Sequence, residues 1–289
     1  MVLLGLLAAC AAPQEGRPSR NLWLVEILDV AGLSSFGAPL ALTDRPGYDD
    51  QPSFLPDGES LLYVSRQRSD VDVLRLDLST RRSARMTDAT ADRFYSPQPL
   101  PEGDGFSAVL VGAGGFQRLV RFGASGGAGE PFADVAGLAV SYYAWVDRRT
   151  LAIVVRGNPS ELRLVHLDEG RVEPLASAVG RTVQAVPGRR AVSWVSQESP
   201  AEWWIMEHDV DTGSTAALCR TLEGQVDHAW LPDGALLMGQ ETRLYRFKPG
   251  VSADWELVGD YAGWGLGSIG RIAVARGGRR LVFVAERTR

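Results

Sequence analysis

A six-bladed β-propeller is the fold that this sequence predicts, and three observations predict it. Short apolar runs recur with a period near 45 residues, Gly and Pro punctuate them at close intervals, and the strands missing from the last repeat are found at the opposite end of the chain. Periods of about 20 to 50 residues mark solenoids and propellers. Many short strands between turn residues point to an all-β domain.

The clearest repeat is Gln51-Pro52-Ser53-Phe54-Leu55-Pro56-Asp57-Gly58, followed by apolar or alternating runs over Ser60 to Ser65, Asp72 to Leu78 and Arg82 to Thr87. These four strands are termed a to d, with a innermost. Tracking the residue that matches Phe54 gives Pro99, Trp145, Ala185, Trp230 and Val274, at spacings of 45, 46, 40, 45 and 44. Each is followed by a b strand, but the sixth repeat reaches the end of the sequence without c or d. Asn21 to Asp29 reads as the missing c strand and Ala38 to Asp44 as the missing d strand, so the N-terminal strands are expected to complete the last blade. Such closure leaves no unpaired sheet edge, the liability that propellers avoid by radial repetition. Pro56-Asp57-Gly58 and Pro232-Asp233-Gly234 suit tight a-to-b hairpins, with Pro preset for the turn and Gly free to take positive φ. The expected domains are therefore 1–20, signal and linker, and 21–289, the propeller.

Composition narrows the function. With 289 residues, 45% of them hydrophobic, the chain can bury a large core. A net charge of -5, with Lys248 as the only lysine, supplies no basic cluster of the kind that binds phosphate backbones, so no nucleic-acid partner is expected. No apolar window is long enough for a transmembrane helix.

Met1 to Ala9 is an apolar and small run that ends at Cys10, the form of a signal peptide's hydrophobic region. Leu7-Ala8-Ala9-Cys10 resembles the bacterial lipobox, and that resemblance implies diacylglyceryl modification of Cys10. A lipid-anchored protein of the bacterial periplasm, at the outer membrane, follows as the expectation. Cys219, in the apolar run Ala216-Ala217-Leu218-Cys219, then has no disulfide partner and reads as a buried thiol.

The run from Leu42-Thr43-Asp44 through Asp50, Pro52, Phe54 and Pro56-Asp57-Gly58 to Leu62-Tyr63-Val64-Ser65 resembles the WD-like repeat of TolB-type propellers. The resemblance is strong in the first repeat, fair around Trp230, and elsewhere carried by the period. It implies six blades, export to the periplasm and use as a platform for protein partners. No α/β domain is expected ahead of the propeller.

Candidate chemistry is sparse. Gly123-Ala124-Ser125-Gly126-Gly127 matches the Gly-x-Ser-x-Gly elbow, but it lies between two strands, whereas that elbow needs a strand, a strained turn and a helix. Gly112, Gly114 and Gly115 fit a b-to-c turn better than a dinucleotide fingerprint. Asp209, Asp211 and Gly213 fit a hairpin better than a calcium loop. His166, His208 and His228 fall in different repeats without metal-ligand spacing. His228 adjoins Asp227 on an inner strand, and the two are expected to point to opposite faces. Trp203 and Trp204 read as packing between blades.

The inner position aligned with Gln51 is occupied by Ser96, Tyr142, Thr182, Asp227 and Arg271, with Asp50 beside the first. These residues are expected to ring the channel mouth and bind a protein or peptide of the envelope. The sequence thus predicts a monomeric, non-enzymatic binding platform without metal or cofactor. A propeller hydrolase or lyase acting at the channel is the alternative.

Overall fold

The computed structural model describes residues 19–30, 33–67, 70–88, 92–102, 104–135 and 137–287. The N-terminal segment forms β1 (Arg20–Val30), β2 (Leu33–Phe36) and β3 (Leu40–Ala41). The first complete repeat is β4 (Tyr48–Phe54), β5 (Ser60–Gln67), β6 (Asp70–Asp77) and β7 (Ser83–Arg85). Next come β8 (Arg93–Pro99), β9 (Gly105–Val111), β10 (Gln117–Gly123) and β11 (Gly126–Pro131), then β12 (Val140–Trp145), β13 (Thr150–Val155), β14 (Glu161–His166) and β15 (Arg171–Ser177). The chain continues through β16 (Val179–Ala185), β17 (Ala191–Ser196), β18 (Trp204–Asp209) and β19 (Thr215–Arg220), then β20 (His228–Trp230), β21 (Leu236–Gln240), β22 (Arg243–Phe247) and β23 (Glu256–Asp260). It ends in β24 (Leu266–Val274) and β25 (Arg280–Arg287).

Four groups, β8 to β11, β12 to β15, β16 to β19 and β20 to β23, are four-stranded sheets of consecutive strands. A nine-stranded sheet runs β24-β25-β1-β4-β5-β6-β7, with β2 and β3 both against β1. Within it, β1 meets β4 at one parallel pair, Arg20 with Tyr48. In contrast, β1 lies antiparallel to β25 over seven pairs, from Arg20 opposite Glu286 to Glu26 opposite Arg280. The strand expected over Ala38 to Asp44 is shorter, Leu40–Ala41, and β2 precedes it where no strand was expected. Both β2 and β3 pair β1, and the chain between them turns where the Gly37 amide donates to the Glu26 carbonyl and Pro39 has no amide to give. Pairing continues past β3 through Thr43, whose hydroxyl accepts from the Leu22 amide.

Strand length and composition explain the packing. The b strands are near-continuous apolar runs, such as Leu151-Ala152-Ile153-Val154, because both of their faces are covered, whereas the c strands mix apolar with polar residues, as in Glu161-Leu162-Arg163-Leu164. Six hydrophobic clusters result, each between two neighbouring strand groups. Leu62, Phe94, Phe106 and Phe122 join the first repeat to the second, with the Phe106 and Phe122 rings stacked at 4.6 Å. On β1 the alternation is read twice. Trp23, Val25 and Ile27 pack with Leu237 and Phe283, whereas Leu22 and Leu24 pack with Leu61, Tyr63 and Val284.

Hairpin turns follow the sequence closely. Asp57 Oδ1 accepts from the amides of Glu59 and Ser60, and Gly58 takes φ 67°. Asp209 Oδ1 does the same for Asp211 and Thr212, which gives that Asp cluster its role as a turn.

Candidate functional site

The site is built where the inner strands begin. The six strands β4, β8, β12, β16, β20 and β24 line one cavity of about 370 Å³. In five of them the ladder slips at the start: between Asp50 and Ser53, Tyr95 and Gln98, Val140 and Tyr142, Val179 and Val183, and Ile269 and Ile272. A bulge of this kind breaks the strict alternation of side chains and re-aims one of them. Gln51, Ser96, Thr182 and Arg271 fall inside the slips, and Tyr142 ends one. Gln51 (φ 56°) and Ser96 (φ 51°) adopt the left-handed region that non-glycine residues rarely enter, a strain typical of functional or closely constrained positions.

The structure brings Gln51, Ser96, Tyr142, Thr182, Asp227 and Arg271 to this one cavity, where Arg181 also lines the wall. Asp50 lies beneath it, 0% exposed. Its carboxylate accepts from Arg20 Nη1 at 2.8 Å and from the Gln51 amide at 2.6 Å, and Arg271 Nε stands 3.5 Å from Oδ1, in ion-pair range but without hydrogen-bond geometry. Asp227 is held by Arg181 in a two-pronged pair, with Nε to Oδ1 at 3.0 Å and Nη2 on Oδ2, and Thr182 donates to Oδ1 at 2.7 Å. Burial by itself would raise the Asp227 pKa, but the Arg181 hydrogen bond and the charges of Arg271 and Arg181 hold it below the ordinary carboxylate range. Arg181 is correspondingly raised, chiefly by its hydrogen bond to Asp227.

Several ring residues are therefore struts between neighbouring strand groups. Gln51 Oε1 accepts from the Ser96 amide, and Thr182 and Arg181 reach across to Asp227. Tyr142 and Arg271 are differently placed. The Arg271 guanidinium stands over the Tyr142 ring at 5.2 Å from its centroid, a cation–π arrangement at the cavity wall.

His228 has a structural partner. Its Nε2 lies 2.9 Å from Ser193 Oγ, which also accepts from Trp230 Nε1 at 2.9 Å. The same triad occurs two repeats earlier, where Tyr143 OH and Trp145 Nε1 both donate to Ser107 Oγ, at 2.8 and 2.9 Å. His228 occupies the place of Tyr143 in Tyr143-Ala144-Trp145 against His228-Ala229-Trp230. Burial pulls its pKa down to about 4, outweighing the Asp227 charge beside it. The two neighbours were expected on opposite faces, but both reach the β16–β19 sheet, Asp227 to Arg181 and Thr182 of β16 and His228 to Ser193 of β17, because Asp227 precedes the regular ladder of β20.

The remaining motifs resolve into structure. Ser125 sits in the turn between β10 and β11. Trp203 packs against the cluster around Trp230, and the Arg220 guanidinium covers Trp204 at 5.3 Å from its ring centroid. His166 pairs with Glu173 at 2.9 Å and His208 with Thr215 at 2.8 Å. Cys219 is buried and its thiol pKa is pushed up to about 12 by burial, which suits an inert thiol. Cys10 lies outside the described residues. Among the described residues, no group of three or more His, Cys, Asp and Glu side chains converges as a metal site, and no helix is long and apolar enough to cross a membrane.

Arg181 and Arg20 are the residues that sequence reasoning missed. Arg181 directly precedes Thr182, and strict alternation would send it away from the cavity; the slip between Val179 and Val183 brings both residues to the wall. Arg20 stands at the start of β1, next to the position where the propeller was expected to begin.

No family model matches this sequence, and no curated protein sequence matches it either. Solved structures do resemble it in fold. A putative TolB from Agrobacterium tumefaciens superposes with a TM-score of 0.72 at 14% identity, covering 94% of this chain and 99% of that one. TolB from Acinetobacter baumannii gives 0.60 at 13% identity, covering 93% of this chain and 64% of that one. An oligogalacturonate lyase in complex with manganese gives 0.54 at 15% identity, covering 91% of this chain and 78% of that one. The fold is a TolB-like β-propeller.

Proposed function

We propose that this chain is a six-bladed propeller, closed by its N-terminal strands, that binds a protein or peptide of the bacterial envelope at the mouth of its axial cavity without turning it over. The β1–β25 ladder and the six clusters between neighbouring strand groups support the six-bladed closure. One observation carries the functional reading: among the described residues, both carboxylates and the histidine at the mouth already serve a neighbour. Asp50 and Asp227 are each held by arginine, and His228 is a buried tie. General acid–base chemistry needs a group free to exchange a proton with substrate. Tyr142 and Arg271 remain as a stacked aromatic and guanidinium at the wall, the residue types that dominate binding hot spots.

The likeness to an oligogalacturonate lyase favours a second reading, a lyase or hydrolase using the same channel. Both are tested together. Partners are recovered from a bacterial envelope fraction with wild type and with Tyr142→Ala plus Arg271→Ala, while both proteins are assayed for lyase, esterase and peptidase turnover. Loss of one such anchor typically costs about 2 kcal/mol or more, roughly thirtyfold in affinity. Recovery unchanged by the double substitution rejects this face. Turnover abolished by Asp227→Asn or His228→Ala gives the case to the enzyme.

The proposed location is the periplasm, with a lipid on Cys10 holding a monomer at the outer membrane. The Leu7-Ala8-Ala9-Cys10 tetrad behind an apolar run supports it. Wild type is expected in the detergent phase on partitioning and Cys10→Ser in the aqueous phase; wild type that is aqueous and uncleaved in a bacterial host contradicts the assignment.

A further inference from the structure

We infer that the mouth recognises a carboxylate, and that its ligand is an acidic peptide segment whose carboxylate seats on Arg271 beside Tyr142 and Ser96. This rests on the reading of the mouth as a binding site and adds the chemistry of what binds. Charge is the first observation. Arg20 and Arg271 pair with Asp50, Arg181 pairs with Asp227, and the Arg271 charge also acts on Asp227, so three guanidinium charges face two carboxylates and one positive charge is left over. Both carboxylate side chains lie at or below 7% exposure, whereas the Arg181 and Arg271 side chains, 36% and 17% exposed, line the cavity. A cationic ligand would meet arginine before it met aspartate.

Unused donors are the second observation. Arg271 Nε and Ser96 Oγ are buried without a hydrogen-bond partner. Both residues line the cavity, and a carboxylate offers acceptor lone pairs to the Ser96 hydroxyl and to the Arg271 guanidinium. A guanidinium also matches a carboxylate's planar fork, the geometry that makes such pairs stronger than neutral hydrogen bonds. Asp50 beneath Arg271 and the Tyr142 ring beside it hold that guanidinium in place, so little ordering is left for the ligand to impose. The cavity, about 370 Å³, sits at the small end of ligand pockets, roughly 300 to 1,000 Å³, which suits the end of an extended segment and not a folded element.

The test uses a fluorescein-labelled hexapeptide ending in two glutamates with a free C-terminus, and a twin ending in two glutamines with an amidated C-terminus. Anisotropy titrations at low salt are expected to show the acidic peptide bound at least about tenfold more tightly than its twin. Arg271→Gln should weaken the acidic peptide about tenfold or more and leave the twin unchanged, with Arg271→Lys between the two. Ser96→Ala should weaken it severalfold, and thermal melts establish that each variant is folded. Equal binding of the two peptides overturns the inference, as does a folded Arg271→Gln protein that binds the acidic peptide like wild type. Trigalacturonate that displaces the probe where the unlabelled acidic peptide does not would assign the site to an acidic sugar and overturn the peptide. If equal peptide binding accompanies envelope partners that the double substitution still releases, the binding face stands and only the carboxylate chemistry falls.

Discussion

At the scale of single residues, His228 shows how a repeat decides between function and packing. An inner-strand His beside an Asp looks like a proton-transfer pair, but its equivalent in another repeat is Tyr143, which makes the same bond to a serine. Ser193 Oγ stands 3.4 Å from the Gln184 carbonyl and accepts from Trp230, and His228 Nε2 is bonded to it at 2.9 Å, in the place of the tyrosine hydroxyl. Nδ1 is left buried without a partner, and an added proton there would have nothing to donate to. Burial of the whole ring is the physical reason for a pKa near 4, and no partner at Nδ1 offsets it. The sign follows from linkage. Between the unfolded value of about 6.5 and the folded value of about 4, the unfolded chain binds the extra proton, so stability falls as pH falls through that window, by about 2 kcal/mol at pH 5. His228→Gln keeps a donor for Ser193 and removes the titration. Urea unfolding at pH 7 and pH 5 should show a smaller loss in the variant than in wild type, and equal losses would contradict the assignment.

At the scale of elements, the sequence carried the strands and turns and lost the bulges. The Pro-Asp-Gly turns were legible because turn geometry is local, and the b strands because burial on both faces leaves a continuous apolar run in the sequence. The column from Gln51 to Arg271 was legible too, because a fixed offset from Phe54 and its equivalents survives any bulge shared by the repeats. What that column does was not legible. Gln51 and Ser96 sit at positive φ with ordinary side chains, and nothing in their identity announces it. Arg181 was lost for the same reason, since period-two reasoning assigns it to the wrong face wherever the ladder slips. Asp50 went the other way. It belongs to the site's chemistry, but as a buried anchor for Arg20, with Arg271 close by, and not as a contact surface. The segment after β1 was misjudged because the strand expected over Ala38 to Asp44 shrinks to Leu40–Ala41 behind Pro39, and β2 (Leu33–Phe36), which was not expected, precedes it.

At the scale of the whole molecule, residues at the two ends of the sequence meet on one carboxylate, with Arg20 of β1 and Arg271 of β24 both against Asp50 of β4. The mouth therefore depends on how the ends are joined. Closure by the N-terminal strand is the central claim, because β1 stands between β25 and β4, and its Arg20 holds the Asp50 on which Arg271 also rests. The five side chains Leu22, Trp23, Leu24, Val25 and Ile27 are all at most 7% exposed. At about 1.5 to 3 kcal/mol for each buried side chain, their loss rivals the whole stability of an ordinary domain, about 5 to 15 kcal/mol. The most direct measurement is the thermal melt of a chain lacking residues 21–29, compared with the intact protein. The account predicts no cooperative transition in the shortened chain, and a cooperative melt near the intact midpoint would contradict it.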